Sequence, residues 1–167
     1  VPFLQEMEKY LPFKYTEIVA DAGYESEEAY IFIEKNGQKS YIKSQNYEIS
    51  KTRRYKKDIS RRENMKYLEK EDSYICSNNR RLNAVGERTR KSKSGYVSKI
   101  TIYECEDCTG CPDKSQCIHG NNCKTPFSER NKQLNVSKVM NEKRRETLDR
   151  ITTEYGTKLR MNRSIQA

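Results

Sequence analysis

The chain has 167 residues, 34% of them hydrophobic and 34% charged, with no tryptophan and a formal net charge of +9. That length suits one domain, but so lean an apolar fraction implies that part of the chain is extended or relies on partners. The charge points to a polyanion, nucleic acid being the commonest, against the plainer reading of a basic protein with no such partner; no apolar run reaches the ~18 residues of a membrane span, and no signal peptide is visible.

In chain order, Phe3, Leu4, Met7 and Leu11 stand at helical spacing, and Pro12 closes that segment. Tyr15 to Ala20 predicts a short buried strand that stops at Asp21, inside the stretch IVADAGYES (18–26). Ser26 is a plausible N-cap for the helix EEAYIFIEKN, with Tyr30, Ile31 and Ile33 facing inward. Asn36-Gly37 is a helix stop or turn, and KSYIK (39–43) a second short strand. Strand, helix and strand in this span form one βαβ-like unit, which suggests an α/β core.

From Gln45 to Arg62 the text is polar, with basic pairs Arg53-Arg54, Lys56-Lys57 and Arg61-Arg62 interleaved with Tyr47 and Tyr55. It is too polar for a core and reads as an arm or a solvated insertion. Residues 72–103 predict a small β-rich unit: DSYICSNNRRL as a strand and turn, then RTRKSKSGYVSKITIYEC as a hairpin with Lys93-Ser94-Gly95 at its tip. A polar loop around 120–133 leads to a long amphipathic helix from Val136 to Tyr155, with Val136, Val139, Met140, Leu148, Ile151 and Tyr155 on one face. Gly156 interrupts it, and 157–167 continue as helix. There is no internal repeat. The chain starts and stops within predicted helices, and so reads as a piece of a longer protein.

Five of the six cysteines, Cys105, Cys108, Cys111, Cys117 and Cys123, lie close together, with Cys76 upstream. Cys-x2-Cys spacing suits a tetrahedral zinc knuckle, and Gly110 and Pro112 suit its tight turn. Without a secretory signal, metal is favoured over disulfides, with free thiols the remaining reading. The expected zinc ligands are Cys76, Cys108, Cys111 and Cys117, with Cys105 and Cys123 as spares. His119, the only histidine, could replace one sulfur. Such a closed site would be structural, holding an insertion with little core of its own.

Asp21 has two readings. Aspartate is common in turns and near helix starts. A carboxylate just past a core strand can also project from the sheet's end, where α/β folds place their sites.

The strings VADAGYES, KSYIKSQNYE, KDISRRENMKY, the Tyr-x-Cys and Cys-x2-Cys-Pro-x4-Cys elements and RMNRSIQ occur in that order. Together they resemble the DDE transposases of bacterial insertion sequences, in their IS1182-type branch, from about Val19 to the last residue. The resemblance implies a partial ribonuclease H-like core interrupted by a β-rich, cysteine-containing, zinc-stapled insertion. Residues 1–44 would belong to the catalytic core, 45–133 to the basic insertion with its cysteine knuckle, and 134–167 to the C-terminal helices of the core.

It further implies three acids that bind Mg²⁺ or Mn²⁺, of which Asp21 is the second, the others lying beyond both ends of this chain. The implied reaction is phosphodiester hydrolysis at transposon ends and strand transfer into target DNA, with this chain inactive in isolation. Lys43, Arg160 and Arg163 join Arg53, Arg54, Lys56, Lys57, Arg61 and Arg62 as expected DNA contacts, with the run at 80–99; each also has a reading as a solvated charge. Tyr47 and Tyr55 either stack on unpaired bases or pack against the insertion. A homodimer when full-length and a cytoplasmic, nucleoid-associated location are implied likewise. Two readings compete: a zinc-stapled basic DNA-binding module without catalysis, and a zinc-ribbon RNA-binding protein of the translation machinery, which leaves VADAGYES unexplained.

Overall fold

The computed structural model describes residues 1–120 and 124–166. In chain order its elements are helix α1 (Pro2–Tyr10), strand β1 (Glu17–Ala20), α2 (Glu27–Lys35), β2 (Lys39–Ile42), α3 (Arg53–Lys57), β3 (Lys66–Leu68), β4 (Ser73–Ile75), β5 (Arg81–Lys91), β6 (Val97–Cys105), α4 (Lys114–Cys117), β7 (Gln133–Val136), α5 (Lys138–Thr152) and α6 (Glu154–Gln166). This mixed α/β chain divides into two compact units, residues 1–48 with 139–167, and residues 49–138. Among the described residues no helix is long and apolar enough to cross a membrane.

The first unit is built on the βαβ element. β1 and β2 pair in parallel, Glu17 opposite Lys39 through Ala20 opposite Ile42, because a helical crossover returns the chain in the same direction. Ser26 caps α2, its Oγ accepting from the Ala29 N–H at 3.1 Å, and Asn36 with Gly37 at φ +69° ends it. Tyr30, Ile33 and Ile42 form the core, with Leu4, Ile18, Ala20, Phe32 and Met140 against them.

The C-terminal helices differ from the sequence reading in three ways. Val136 closes β7 and is 1% exposed; the alternation of Leu134 and Val136 is a strand period in too short a run to stand out. Val139, Leu148 and Tyr155 are exposed, and α5 buries Thr147 beside the expected Ile151. The helix breaks at Thr153, whose Oγ1 accepts from the Gly156 N–H at 3.0 Å and so caps α6. Gly156 lies inside α6, where a Cβ would sit 2.1 Å from the Arg150 carbonyl oxygen. Glycine is needed there for the close approach of two backbones, not to stop a helix.

The second unit is a five-stranded antiparallel sheet in the order β3-β4-β5-β6-β7. Its core joins Met65, Tyr74, Leu82, Tyr103, Leu134 and Val136 to Cys105, Cys108 and Cys117. β5 and β6 form the expected hairpin, with a register shift between Ala84 and Gly86 and Gly95 at φ +90° in its turn. The stretch before β3 is more ordered than its polarity suggests. Thr52 caps α3 through the Tyr55 N–H at 3.3 Å, Tyr55 is buried, and Asn64 Nδ2 donates to the Tyr55 and Asp58 carbonyls at 2.6 and 2.9 Å. One buried aromatic and a ring of side-chain hydrogen bonds replace the missing apolar residues.

Candidate functional site

Asp21 stands immediately after β1 and is exposed. It precedes a short 3-10 turn, Ala22–Tyr24, but its carboxylate makes no capping hydrogen bond there, so capping does not account for the acid. The connection it sits on is anchored at Glu25. That carboxylate is fully buried and accepts from Arg144 Nε and Nη2 at 2.6 and 2.8 Å, from the Tyr30 hydroxyl at 3.1 Å and from the Gln45 N–H at 3.1 Å. A two-pronged charge-assisted pair of this kind fixes direction as well as distance. Burial, with the Glu25 charge beside it, raises the Tyr30 hydroxyl well above its ordinary pKa. The sequence reading missed this clamp: Glu25 lies next to the recognisable string, but its partner is 119 residues away.

Two divalent ions held close together draw on several carboxylates. Among the described residues no group of three or more His, Cys, Asp or Glu is arranged to hold a metal ion. Asp21 by itself therefore does not fit a two-metal site, and this chain's described residues do not complete one.

Lys43, Tyr47 and Arg160 come together in the first unit. Lys43 Nζ lies 5.6 Å and the Arg160 guanidinium 5.4 Å from the Tyr47 ring centroid, and Lys43 pairs with Glu48 at 2.6 Å. The Arg163 side chain lies outside the described residues.

In the second unit the predicted cations separate into two kinds. Arg61 pairs with Asp58 at 2.9 Å and stacks 4.2 Å from the Tyr55 ring, and Arg62 pairs with Glu63 at 3.0 Å. Arg53, Arg54, Lys56 and Lys57 are exposed on α3 and make no ion pair among the described residues.

Cys76, Cys105, Cys108, Cys111 and Cys117 line one cavity of ≈20 Å³. All five are free thiols, with no disulfide among them; Cys123 lies outside the described residues. The backbone around them is held from several sides. Arg80 donates to the Asp107 and Thr109 carbonyls, and Asn131 Oδ1 accepts from the Cys108 N–H at 2.9 Å. Lys132 Nζ donates to the Ser60 and Cys117 carbonyls, each at 2.8 Å. Two sulfurs already accept hydrogen bonds, Cys111 from Asn78 Nδ2 at 3.1 Å and Cys108 from the Lys132 N–H at 3.3 Å.

Burial and a hydrogen bond with Cys108 push the Cys105 thiol up to about 12, and burial raises Cys117 against the pull of Lys132. The donor chemistry suits zinc, but the thiols as they stand are not arranged to hold an ion. His119 lines a different, open pocket of ≈480 Å³.

Asp72 is a second node that sequence reading missed. It sits at φ +46° and accepts from the Tyr67 hydroxyl, the Tyr103 hydroxyl and Lys138 Nζ, each at 2.6 Å. Burial alone would raise its carboxyl, but these three donors outweigh it and hold it at about 2.

A protein-family model described as "Transposase DDE domain" matches residues 75–167, 93 of the 167 residues. The match takes in the thiol cluster, the β5–β6 hairpin and both C-terminal helices, while Asp21, Lys43 and α3 lie before it. No curated protein and no solved structure matches the chain. With more than half of its length under that one model, the chain belongs to the transposase DDE domain family.

Proposed function

We propose that this chain contributes to a DDE transposase of the IS1182-type branch that cleaves DNA at the ends of an insertion sequence and transfers the strands to target DNA, and that Asp21 is one of its metal-ligating acids. The observation that carries this reading is the position of Asp21: an exposed carboxylate at the end of a parallel strand, not used as a cap, on a connection pinned by the buried Glu25–Arg144 pair. In this reading the first unit is part of a ribonuclease H-like core. Mg²⁺ or Mn²⁺ would supply the Lewis acid for phosphodiester chemistry. Asp21 would contribute one ligand, with the remaining acids supplied from outside residues 1–167, so the isolated chain does not cleave DNA.

The same reading makes the second unit a basic insertion closed by zinc on Cys76, Cys108, Cys111 and Cys117. Their shared cavity supports this, because a χ1 rotation moves each sulfur without moving the backbone. Cys105 and Cys123 are the spares. Transposon-end and target DNA are the partners, reached through Arg160, Arg163 and α3, in a dimeric full-length protein acting in the bacterial cytoplasm.

The test is nicking of supercoiled plasmid in Mg²⁺ or Mn²⁺ by residues 1–167 and by the same chain joined to its flanking coding sequence. The longer protein is expected to nick and to lose nicking with Asp21→Ala; residues 1–167 are expected to be inactive. Nicking that survives Asp21→Ala removes Asp21 from the site. Salt-dependent DNA binding with no nicking by either protein favours a DNA-binding module without catalysis.

A further inference from the structure

β5 and β6 are longer than the sheet that holds them. β4 pairs with β5 only at Ser73–Ile75 against Arg81–Asn83, and β7 pairs with β6 only at Thr101–Glu104. Beyond these, the pairs Arg88–Ile100, Thr89–Lys99, Arg90–Ser98 and Lys91–Val97 continue as a two-stranded ribbon with no neighbouring strand on either edge among the described residues. Four pairs at about 3.4 Å each carry the turn ~14 Å past the sheet.

An isolated ribbon of this kind is marginal in water, yet this one is well formed. The Ser92 N–H donates to the Tyr96 carbonyl at 2.8 Å and the Tyr96 N–H to Ser92 Oγ at 3.1 Å, with Gly95 at φ +90° completing the turn. The register shift between Ala84 and Gly86 sits at its root, where bulges re-aim a strand.

Its charge is the second observation. The side chains of Arg88, Arg90, Lys91 and Lys93 are exposed and make no ion pair or hydrogen bond among the described residues, while Lys99 is paired with Glu87 at 2.8 Å. Nearer the sheet several cations are engaged. Arg80, Arg81 and Lys138 are paired with Asp107, Glu71 and Asp72, and Lys114, Arg130 and Lys132 donate to backbone carbonyls. The ribbon thus gathers four cations that hold nothing in the fold.

We propose that the β5–β6 ribbon docks in the major groove of duplex DNA, with Arg88, Arg90, Lys91 and Lys93 on the phosphates that border it. This rests on the reading of the chain as DNA-binding and adds which element engages which groove. Two strands about 4.8 Å apart fit a groove about 12 Å wide, which admits a two-stranded β-ribbon. The deep, narrow major groove of A-form RNA does not.

The test uses the full 167-residue chain and a short fluorescein-labelled duplex, with affinity measured by anisotropy between about 50 and 200 mM NaCl. The variant R88A/R90A/K91A/K93A is expected to fold as the parent does, read by circular dichroism and melting. It should lose at least tenfold in affinity, with a log–log salt slope shallower by about 3.6, since each of the four phosphate contacts adds about 0.9. The tip variant K91A/K93A, which leaves most of the ladder untouched, is expected to lose about half of that slope.

A duplex whose major groove is filled by glucosylated 5-hydroxymethylcytosine is expected to weaken the parent and not to weaken the four-residue variant further. If the parent binds with steep salt dependence and both variants bind equally well, the ribbon proposal is wrong and the DNA reading stands. Equal weakening of parent and variant by glucosylation, or equal binding of an RNA duplex, also overturns it. If the parent binds no duplex at all, the DNA reading fails with it.

Discussion

In the unit formed by residues 1–48 and 139–167, three cations of α5 are engaged within the fold. Arg144 grips the buried Glu25, Lys143 bridges Glu34 and Glu146 at 2.8 and 3.1 Å, and Arg150 Nη2 lies 3.3 Å from the Ser40–Thr147 hydroxyl pair. In the unit formed by residues 49–138, Arg61, Arg81 and Lys138 are likewise engaged, whereas Arg88, Arg90, Lys91 and Lys93 of the β5–β6 ribbon and the four cations of α3 make no ion pair among the described residues. A count of basic residues treats the two sets alike. Paired cations hold elements together; unpaired ones remain available to phosphates, because a contact that releases counterions must not first break an internal ion pair.

The largest expected effect lies at the buried base of the second unit. With zinc on four thiols, metal analysis gives one zinc per chain; Cys108→Ser reduces it to none and lowers the melting temperature, while Cys105→Ala retains it. Substoichiometric metal in the purified parent, with all six thiols titratable, would remove zinc from the picture.

Next is the clamp in the first unit. Arg144→Ala leaves the Glu25 carboxylate buried without its counter-charge, which costs about 3–5 kcal/mol, measured by urea denaturation. A loss below ~1 kcal/mol would show that Glu25 reaches water in solution.

Asp72→Ala is smaller. It strands the fully buried Tyr103 hydroxyl and is expected to cost about 1–3 kcal/mol. The acid limb carries the same residue. The folded Asp72 carboxyl sits at about 2 against an ordinary 3.8, so its contribution is complete above pH ~4 and is lost as pH falls from there toward 2. Its side chain is 38% exposed, so screening keeps this term to about 1 kcal/mol or less. Asp72→Asn should flatten stability against pH in that window only. Smallest of all, Arg88→Ala is expected to leave stability within about 0.5 kcal/mol of the parent.

Much of the local structure was legible because it is written locally. Ser26, Asn36-Gly37 and the alternation around Lys93-Ser94-Gly95 specify a cap, a stop and a hairpin within a few residues each, and the structure has all three. The cysteine spacing likewise drew attention to thiols that do share a cavity. What the sequence hid depends on distance. Nothing near Glu25 announces Arg144, and nothing near Asp72 announces Tyr103 or Lys138. Gly156 looked like a helix stop because the nearby carbonyl of Arg150 that excludes a side chain cannot be read from periodicity. Arg61 and Arg62 looked equivalent to Arg53 and Arg54 because pairing with Asp58 and Glu63 is a matter of rotamers and turn geometry.

The division between paired and unpaired cations is tested most directly by the salt slope of duplex binding for two variants of the full chain, R88A/R90A/K91A/K93A and R61A/R62A. The expected result is a shallower slope with unchanged melting for the first, and an unchanged slope with a lower melting temperature for the second. A slope that falls as far for R61A/R62A as for the ribbon variant would contradict it, showing that internal ion pairing does not decide which cations meet DNA.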